Sequence, residues 1–380
     1  MAKQNVIREP LFRVEKRDNL PKWKKALIYA ISIFGAMLFA SIICTIASPK
    51  GNPLTFFTSL FSGVFGQSRS IWETFKEMAL LVAVSMALLP AFKMKFWNLG
   101  GNGQILVGGL AANACMWYLG GVIPEVWVII ISIFASMIAG AIWAVIPAIF
   151  KALFNTNESL FTLMMNYIAQ CLVTLFIAIW VKSGSSVLTD NMLPYGRLPV
   201  VGNQFLLTIL VGAAIFGFVF LFLKFTKGGY EVSVVGDSQN TAKYVGIKVK
   251  KVIIKTLIIS GAICGIVGLM LTAGNYANAA IGKGTAKNMG FTAIMTTWLA
   301  NCNPVAILGT CGLVAFINKG MFKVRMDFGM TSETFSNIVI ALIYFFIIAC
   351  SFFVQYKLIV RKKKKGSYTA EFCENVKEEE

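Results

Sequence analysis

The feature that most constrains this chain is a series of apolar runs, each long enough to cross a lipid bilayer. The hydrocarbon core of a bilayer is about 30 Å thick, and about 20 helical residues span it. The first of these runs covers residues 26–47. Hydrophobic residues make up 57% of the 380 positions and charged residues only 14%, which is too much apolar surface for a water-soluble fold to hide. The sequence therefore predicts an all-α polytopic membrane protein.

The apolar runs predict about ten transmembrane helices within one membrane domain, residues 26–358. Eight runs each fit a single helix: 26–47, 72–92, 103–120, 126–150, 160–181, 204–222, 252–273 and 336–356. A ninth run, 289–319, is too long for one helix and contains Pro304, which disfavours helical backbone at the residue before it. We therefore predict two helices there, which meet at a turn around Asn301.

The distribution of lysine and arginine predicts that both termini are cytoplasmic. If the N-terminus is placed inside and the helices alternate, 25 of the 35 basic residues fall in inner segments. Basic segments are retained in the cytoplasm. This gives a cytoplasmic tail over 1–25, a large inner loop over 224–251, and a basic and then acidic tail over 359–380. The bases flank the apolar runs at the bilayer surface and form no separate basic domain, so nucleic acid is not an expected partner.

Several function classes are disfavoured by residue types that the chain lacks. It has no histidine, and its predicted spans hold no aspartate or glutamate except Glu73 and Glu77 at an outer edge. The pattern offers no catalytic constellation, no metal site and no cofactor site, so we do not expect an enzyme. An ion-coupled secondary carrier remains an alternative through sodium sites built from carbonyl oxygens. The phosphate-binding loop of an ATPase is also missing, so the energy for transport has to come from a partner or a gradient.

Neutral amides are the polar groups that the spans do contain, and they define a candidate solute path. Asn98 and Gln104 flank a glycine cluster, and Asn166 lies in the fifth span. Three glycines among residues 100–103 predict a broken helix near residues 98–103. The amides either hold helices together by hydrogen bonds or line a path for an uncharged polar solute. With two aromatic neighbours, the candidate path residues are Trp97, Asn98, Gln104, Asn166 and Phe291.

The inner loop contains a segment that is large enough to receive a partner protein. A short helix is predicted over residues 238–244, between Gly236 and Gly246. The alternative interpretation is an ordinary solvated loop.

Four segments, in the same order along the chain, resemble one family of transporters. Residues 96–104 and their continuation resemble its FNIGxEGQ segment, and residues 157–169 resemble its NE…TLMLNYIA stretch. Residues 236–246 are similar to its VGxNxxAARYxGI segment, and residues 290–291 with 303–304 fit its GF…NP signature. The family is that of the permease subunits of bacterial ABC importers of the ribose/branched-chain amino-acid type, in particular its nucleoside and simple-sugar branch. Asn102 stands where that branch usually has glutamate.

The resemblance implies a multi-pass permease subunit in the bacterial plasma membrane that forms the path of an ATP-driven importer. The implied partners are a cytoplasmic ABC ATPase subunit, a second permease subunit, homologous or identical, and an extracellular substrate-binding lipoprotein. The implied solutes are nucleosides, with simple sugars and branched-chain amino acids as alternatives. An amino acid is a zwitterion, and its two charges would need charged partners that the spans lack. The family's ATPase-docking segment corresponds here to five residues: Gly236, Asp237, Ala242, Tyr244 and Gly246.

Overall fold

The fold is built mainly from helices, with a few short strands. A computed structural model describes residues 12–16, 21–48, 52–181, 187–188, 192–274, 281–330 and 333–360. The helices among these residues are α1 (Lys22–Ala47), α2 (Pro53–Phe65), α3 (Ser68–Lys93), α4 (Gly101–Leu119), α5 (Glu125–Phe154), α6 (Glu158–Trp180), α7 (Leu206–Phe225), α8 (Lys227–Asp237), α9 (Gln239–Tyr244), α10 (Val249–Ala273), α11 (Met289–Leu299), α12 (Pro304–Asp327) and α13 (Glu333–Gln355). The strands are β1 (Phe12–Lys16), β2 (Val187–Leu188), β3 (Ile281–Gly282) and β4 (Tyr356–Val360). The chain is all-α in class, as its apolar runs predict; the predicted basic and acidic tail beyond residue 360 lies outside the described residues.

Seven helices in the described part of the chain are long and apolar enough to cross a membrane: α1, α3, α5, α6, α7, α10 and α12. α4 has 19 residues, which is also enough, but its first turn carries the polar residues Asn102 and Gln104. α11 has only 11 residues and is about 16 Å long, roughly half of the bilayer core. The two helices predicted in the region 289–319 are present as α11 and α12 and meet at the predicted turn around Asn301, but the first of them is only half the length of a full span. The total of ten spans stays a prediction.

α10 packs against both α4 and α5 at the centre of the fold, and α4 and α5 also pack against each other. A Cβ on Gly265 of α10 would overlap the backbone of Ser136 in α5, and a Cβ on Gly268 would overlap the carbonyl of Ile105 in α4. Lipid provides no hydrophobic drive for helix association, so small residues that let backbones approach supply the contact through close packing. These glycines fix how the three helices fit together.

The two ends of the described chain lie side by side, because β1 pairs with β4 in antiparallel register. Phe12 is opposite Val360, and Lys16 is opposite Tyr356. The helix after β1, α1, also packs against the helix before β4, α13. The terminal segments therefore share one side of the protein; that this side is the cytoplasmic one stays a prediction from the charge distribution.

Candidate solute path and coupling surface

The helix break lies between α3 and α4, where residues 94–100 are not helical. The predicted break is therefore confirmed, although α4 already begins at Gly101. Asn98 lies inside the break and is fully buried. Its Oδ1 accepts hydrogen bonds from the Gly100 N–H at 3.0 Å and from Gln104 Nε2 at 3.3 Å. Asn98 thereby closes a turn just before α4 and holds the side chain of Gln104, which lies in the first turn of that helix.

α6 holds the non-helical backbone of the break in place. Asn166 Nδ2 donates to the Leu99 carbonyl at 2.9 Å, and Asn166 Oδ1 accepts from the Gly103 N–H at 2.8 Å. Thr162, one turn earlier in α6, accepts a hydrogen bond from the Leu99 N–H at 3.1 Å. A buried backbone group that is left unpaired costs about 1–3 kcal/mol, so these contacts make the break tolerable inside an apolar bundle.

We expect Asn166→Leu to destabilise the protein, because it strands the Gly103 N–H and the Leu99 carbonyl without partners. The free energy of unfolding should fall by about 2–4 kcal/mol. Thermal unfolding of the detergent-solubilised protein measures the change. Gln170→Leu is the control, because Gln170 lies one turn further along α6 and is only half-buried. Equal losses in the two variants would show that Asn166 has no special part in holding the break.

Asn102 ties the first turn of α4 to α11. Its Oδ1 accepts a hydrogen bond from the Gly290 N–H at 2.8 Å, across 188 positions of sequence. A Cβ on Gly290 would press into the amide groups of Asn102, so the close approach requires glycine there. Asn102 was not among the predicted site residues. Its position in the FNIGxEGQ-like segment is the signal that could have found it.

Three buried polar atoms at the break have no hydrogen-bond partner among the described residues: Asn98 Nδ2, Gln104 Oε1 and Trp143 Nε1. Trp143 reaches this place from α5, where its Nε1 lies 3.0 Å from the position that a Cβ on Gly103 would take. The three atoms comprise two donors and one acceptor, all uncharged. Such a cluster suits a neutral hydrogen-bonding group better than an ion. Trp143 was missed, because its local sequence is that of any apolar helix.

The predicted path residues separate into buried amides and more exposed aromatic rings. Asn98, Gln104 and Asn166 are all buried inside this chain. Trp97 is 37% exposed, and its ring lies 4.7 Å from that of Trp298, centroid to centroid, with the planes at 46°. Phe291, on the same helix as Trp298, is half-buried. The sequence placed Trp97 and Phe291 in one site but missed Trp298, whose neighbour Trp97 is far away along the chain.

The predicted short helix of the inner loop is present as α9, which begins at Gln239 with Ser238 as its N-cap. Ser238 Oγ accepts a hydrogen bond from the Thr241 N–H at 3.3 Å. Gly246 follows the helix at φ +82°, a left-handed conformation that favours glycine. We call residues 227–246, which contain α8 and α9, the coupling segment.

Two of the five predicted docking residues face the rest of this chain. A Cβ on Gly236 would overlap the carbonyl of Lys93, so the end of α8 lies directly against the end of α3. Ala242 is fully buried. Both residues therefore pack the coupling segment against the rest of its own chain, and neither is exposed at the surface.

The other three predicted docking residues, Asp237, Tyr244 and Gly246, are exposed. Tyr244 is 92% exposed, and its neighbour Val245, which was not predicted, is 64% exposed. An exposed tyrosine at the tip of a surface helix is typical of the residues that anchor a protein–protein contact.

Buried side chains connect the coupling segment to the helix break. One apolar cluster contains Val235 and Ala242 of the coupling segment, Phe96 of the break, and Ala148 of α5. Phe96 is two positions before Asn98. The break and α9 are therefore joined by one continuously packed cluster.

The chain matches the family described as branched-chain amino acid transport system, permease component, over residues 70–349. It is 30% identical to the guanosine ABC transporter permease protein NupP of Bacillus subtilis over 82% of this chain and 89% of the relative. It is 28% identical to the nucleoside ABC transporter permease protein NupB of Lactococcus lactis over 91% of this chain and 96% of the relative. The glucose ABC transporter permease protein TsgB13 of Haloferax volcanii is 22% identical over 93% of this chain and 95% of the relative. No solved structure matches.

These similarities cover most of the chain and agree with the architecture described above. The protein is therefore no enzyme but the membrane-spanning subunit of an ABC transporter, whose ATPase is a separate subunit. It is a multi-pass protein of the plasma membrane. The chain belongs to the permease components of the branched-chain amino acid transport type.

Proposed function

We propose that this permease imports nucleosides. The observation that carries the proposal is the neutral cluster at the helix break, where two amides and an indole N–H each have a buried atom without a partner among the described residues, next in sequence to the partly exposed Trp97. A nucleoside has a flat aromatic base and several uncharged hydrogen-bonding groups, so it is recognised by aromatic faces and neutral donors and acceptors. The guanosine and nucleoside permeases among the relatives support the same solute class.

The path runs between this chain and a second permease subunit, along the face that carries Trp97 and Phe291. In this proposal the two aromatic residues touch the solute. Asn98, Gln104 and Asn166 form the wall behind them and keep the break in shape, and the unpaired Asn98 Nδ2 and Gln104 Oε1 are available to a solute when the helices separate.

ATP hydrolysis drives the rearrangement of the solute path, and the coupling segment transmits the movement of the ATPase to it. The exposed Tyr244 and Val245 insert into a groove on the ATPase subunit, and the buried face of α9 carries its movement through Ala242 to Phe96. An extracellular substrate-binding lipoprotein delivers the solute to the opposite face. The order of events is delivery, closure of the ATPase, and rearrangement of the break.

A simple sugar is the second candidate solute, because one relative is a glucose permease. A sugar offers hydroxyl groups to the amides but no aromatic face to Trp97. A branched-chain amino acid fits less well, since both its charges would lie beside neutral groups only.

Uptake into proteoliposomes tests the proposal. Vesicles that contain the permease pair and the ATPase, supplied with the binding lipoprotein and ATP, should accumulate uridine and guanosine and should exclude glucose and leucine. Vesicles without the ATPase should show no uptake of any of the four. Accumulation of glucose or leucine without nucleosides would overturn the solute class, and uptake without the ATPase would overturn the energy source.

A further inference from the structure

α11 is bounded at both ends by backbone in an unusual conformation. Before it, Lys287 and Asn288 have φ values of 42° and 56°; after it, Asn301 and Cys302 have φ values of 50° and 55°. Two consecutive non-glycine residues in the left-handed region are costly, because Cβ crowds the backbone there. Such turns persist where the surrounding structure requires the helix to start and stop at fixed places.

The two faces of α11 differ in what they contact. Gly290, Ala293, Thr296 and Thr297 are buried, and Thr296 and Thr297 hydrogen-bond to Ser85 of α3. The opposite face carries a helical stripe at positions i, i+4 and i+7: Phe291, Met295 and Trp298. Met295 is 40% exposed and Trp298 51% exposed, and Trp298 lies against Trp97 of the helix break.

Lipid is an unsuitable neighbour for this stripe. α11 is about half as long as the bilayer core, so at least one of its flanking turns lies at membrane depth. These turns expose polar residues, Lys287 and Asn288 before the helix and Asn301 after it. Irregular polar backbone at membrane depth is tolerated only when it faces protein or a water-filled path. The stripe lies between these turns, so we infer that it also faces protein or a water-filled path.

We propose that Trp97, Trp298 and Met295 form a stacking platform for the planar base of the transported solute. The inference rests on the proposed import of nucleosides and names the part of the nucleoside that this surface recognises. All three side chains are uncharged and polarisable, so the platform holds purines and pyrimidines alike by contact with the flat ring. The ribose has no flat ring, and its hydroxyl groups form hydrogen bonds with the amides and with water.

Uridine and 5,6-dihydrouridine form the decisive pair of probes, because they carry the same ribose but the reduced base is not planar. Uptake of each is measured in proteoliposomes with the ATPase and one unchanged binding lipoprotein. Trp298→Leu should lower kcat/KM for uridine about tenfold, as expected for loss of one stacking contact, and should lower that for dihydrouridine less than about twofold. Trp298→Phe keeps a flat ring and should stay within about threefold of the parent for both solutes.

Trp127→Leu is the matched control, because Trp127 is an exposed tryptophan at the other end of α5, about 24 Å along the helix from Trp143 at the break. An equal loss for uridine and dihydrouridine in Trp298→Leu would overturn the platform, as would a loss no larger than in Trp127→Leu. Loss of the permease pair from the solubilised Trp298→Leu complex, judged by its native mass, would also overturn it and assign the surface to subunit contact. A parent that transports no nucleoside would instead refute the proposed function itself, whatever the variants do.

Discussion

Gly265→Val is expected to prevent formation of a stable permease. The new side chain would have to occupy space that the backbone of Ser136 and Met137 already fills, and a backbone cannot swing aside as a flexible side chain can. α10 contacts both α4 and α5, so its displacement would open the centre of the fold. We expect a loss of about 3 kcal/mol or more in the free energy of unfolding, the upper part of the range for overpacked cores. Thermal unfolding in detergent and the amount of protein inserted in the membrane measure it.

Gly217→Val is the matched control. Gly217 lies in α7, also a candidate span, and a Cβ there meets nothing within 4 Å. The same substitution should therefore leave insertion and thermal stability nearly unchanged. If Gly265→Val were as stable as Gly217→Val, the close packing of α5 and α10 would not be what holds the three central helices together.

Tyr244→Ala is expected to abolish ATP-driven uptake while leaving the permease folded. The side chain is 92% exposed, so its removal takes no contact of consequence from its own chain. If it is the anchor of the ATPase contact, its truncation costs at least about 2 kcal/mol of binding, which is roughly thirtyfold in affinity. Copurification of the ATPase with the permease and uptake in proteoliposomes measure the two consequences.

Tyr230→Ala provides the comparison within the same coupling segment. Tyr230 is also exposed, but it lies in α8 and not at the tip formed by α9. Copurification should be near normal in this variant. Identical behaviour of the two tyrosine variants would argue against α9 as the docking element.

Ala242→Glu, in contrast, is a poor probe of the ATPase contact, although Ala242 was a predicted docking residue. Its side chain is fully buried among Val235, Phe96 and Ala148. A carboxylate there would be buried without a cation to pair with it. The variant should therefore unfold locally, and a loss of ATPase binding would not report on the contact itself. The resemblance names the segment, but it could not say which side of the six-residue helix α9 faces inward.

The sequence by itself determined the class of the protein and the places of two of its interruptions. Runs of about 20 apolar residues have no stable arrangement in water, and glycine clusters relieve the backbone restraints that keep a helix going. The break before Gly101 and the short helix before Gly246 follow from local patterns of this kind. Local signals suffice for them because each depends on residues that are neighbours in the chain.

The tertiary structure decided what the side chains at these places contact. The side chain of Asn166 hydrogen-bonds to the backbone of residues 99 and 103. Asn102 hydrogen-bonds to Gly290 across 188 positions, and Trp298 lies beside Trp97. The pairing of β1 with β4 is likewise absent from any local pattern. An asparagine or tryptophan in an apolar run gives the same local sequence pattern whether it faces lipid, a neighbouring helix or the solute path. Only the packing of distant helices separates those cases, because hydrogen bonds and ring contacts depend on distance in space and not on distance along the chain.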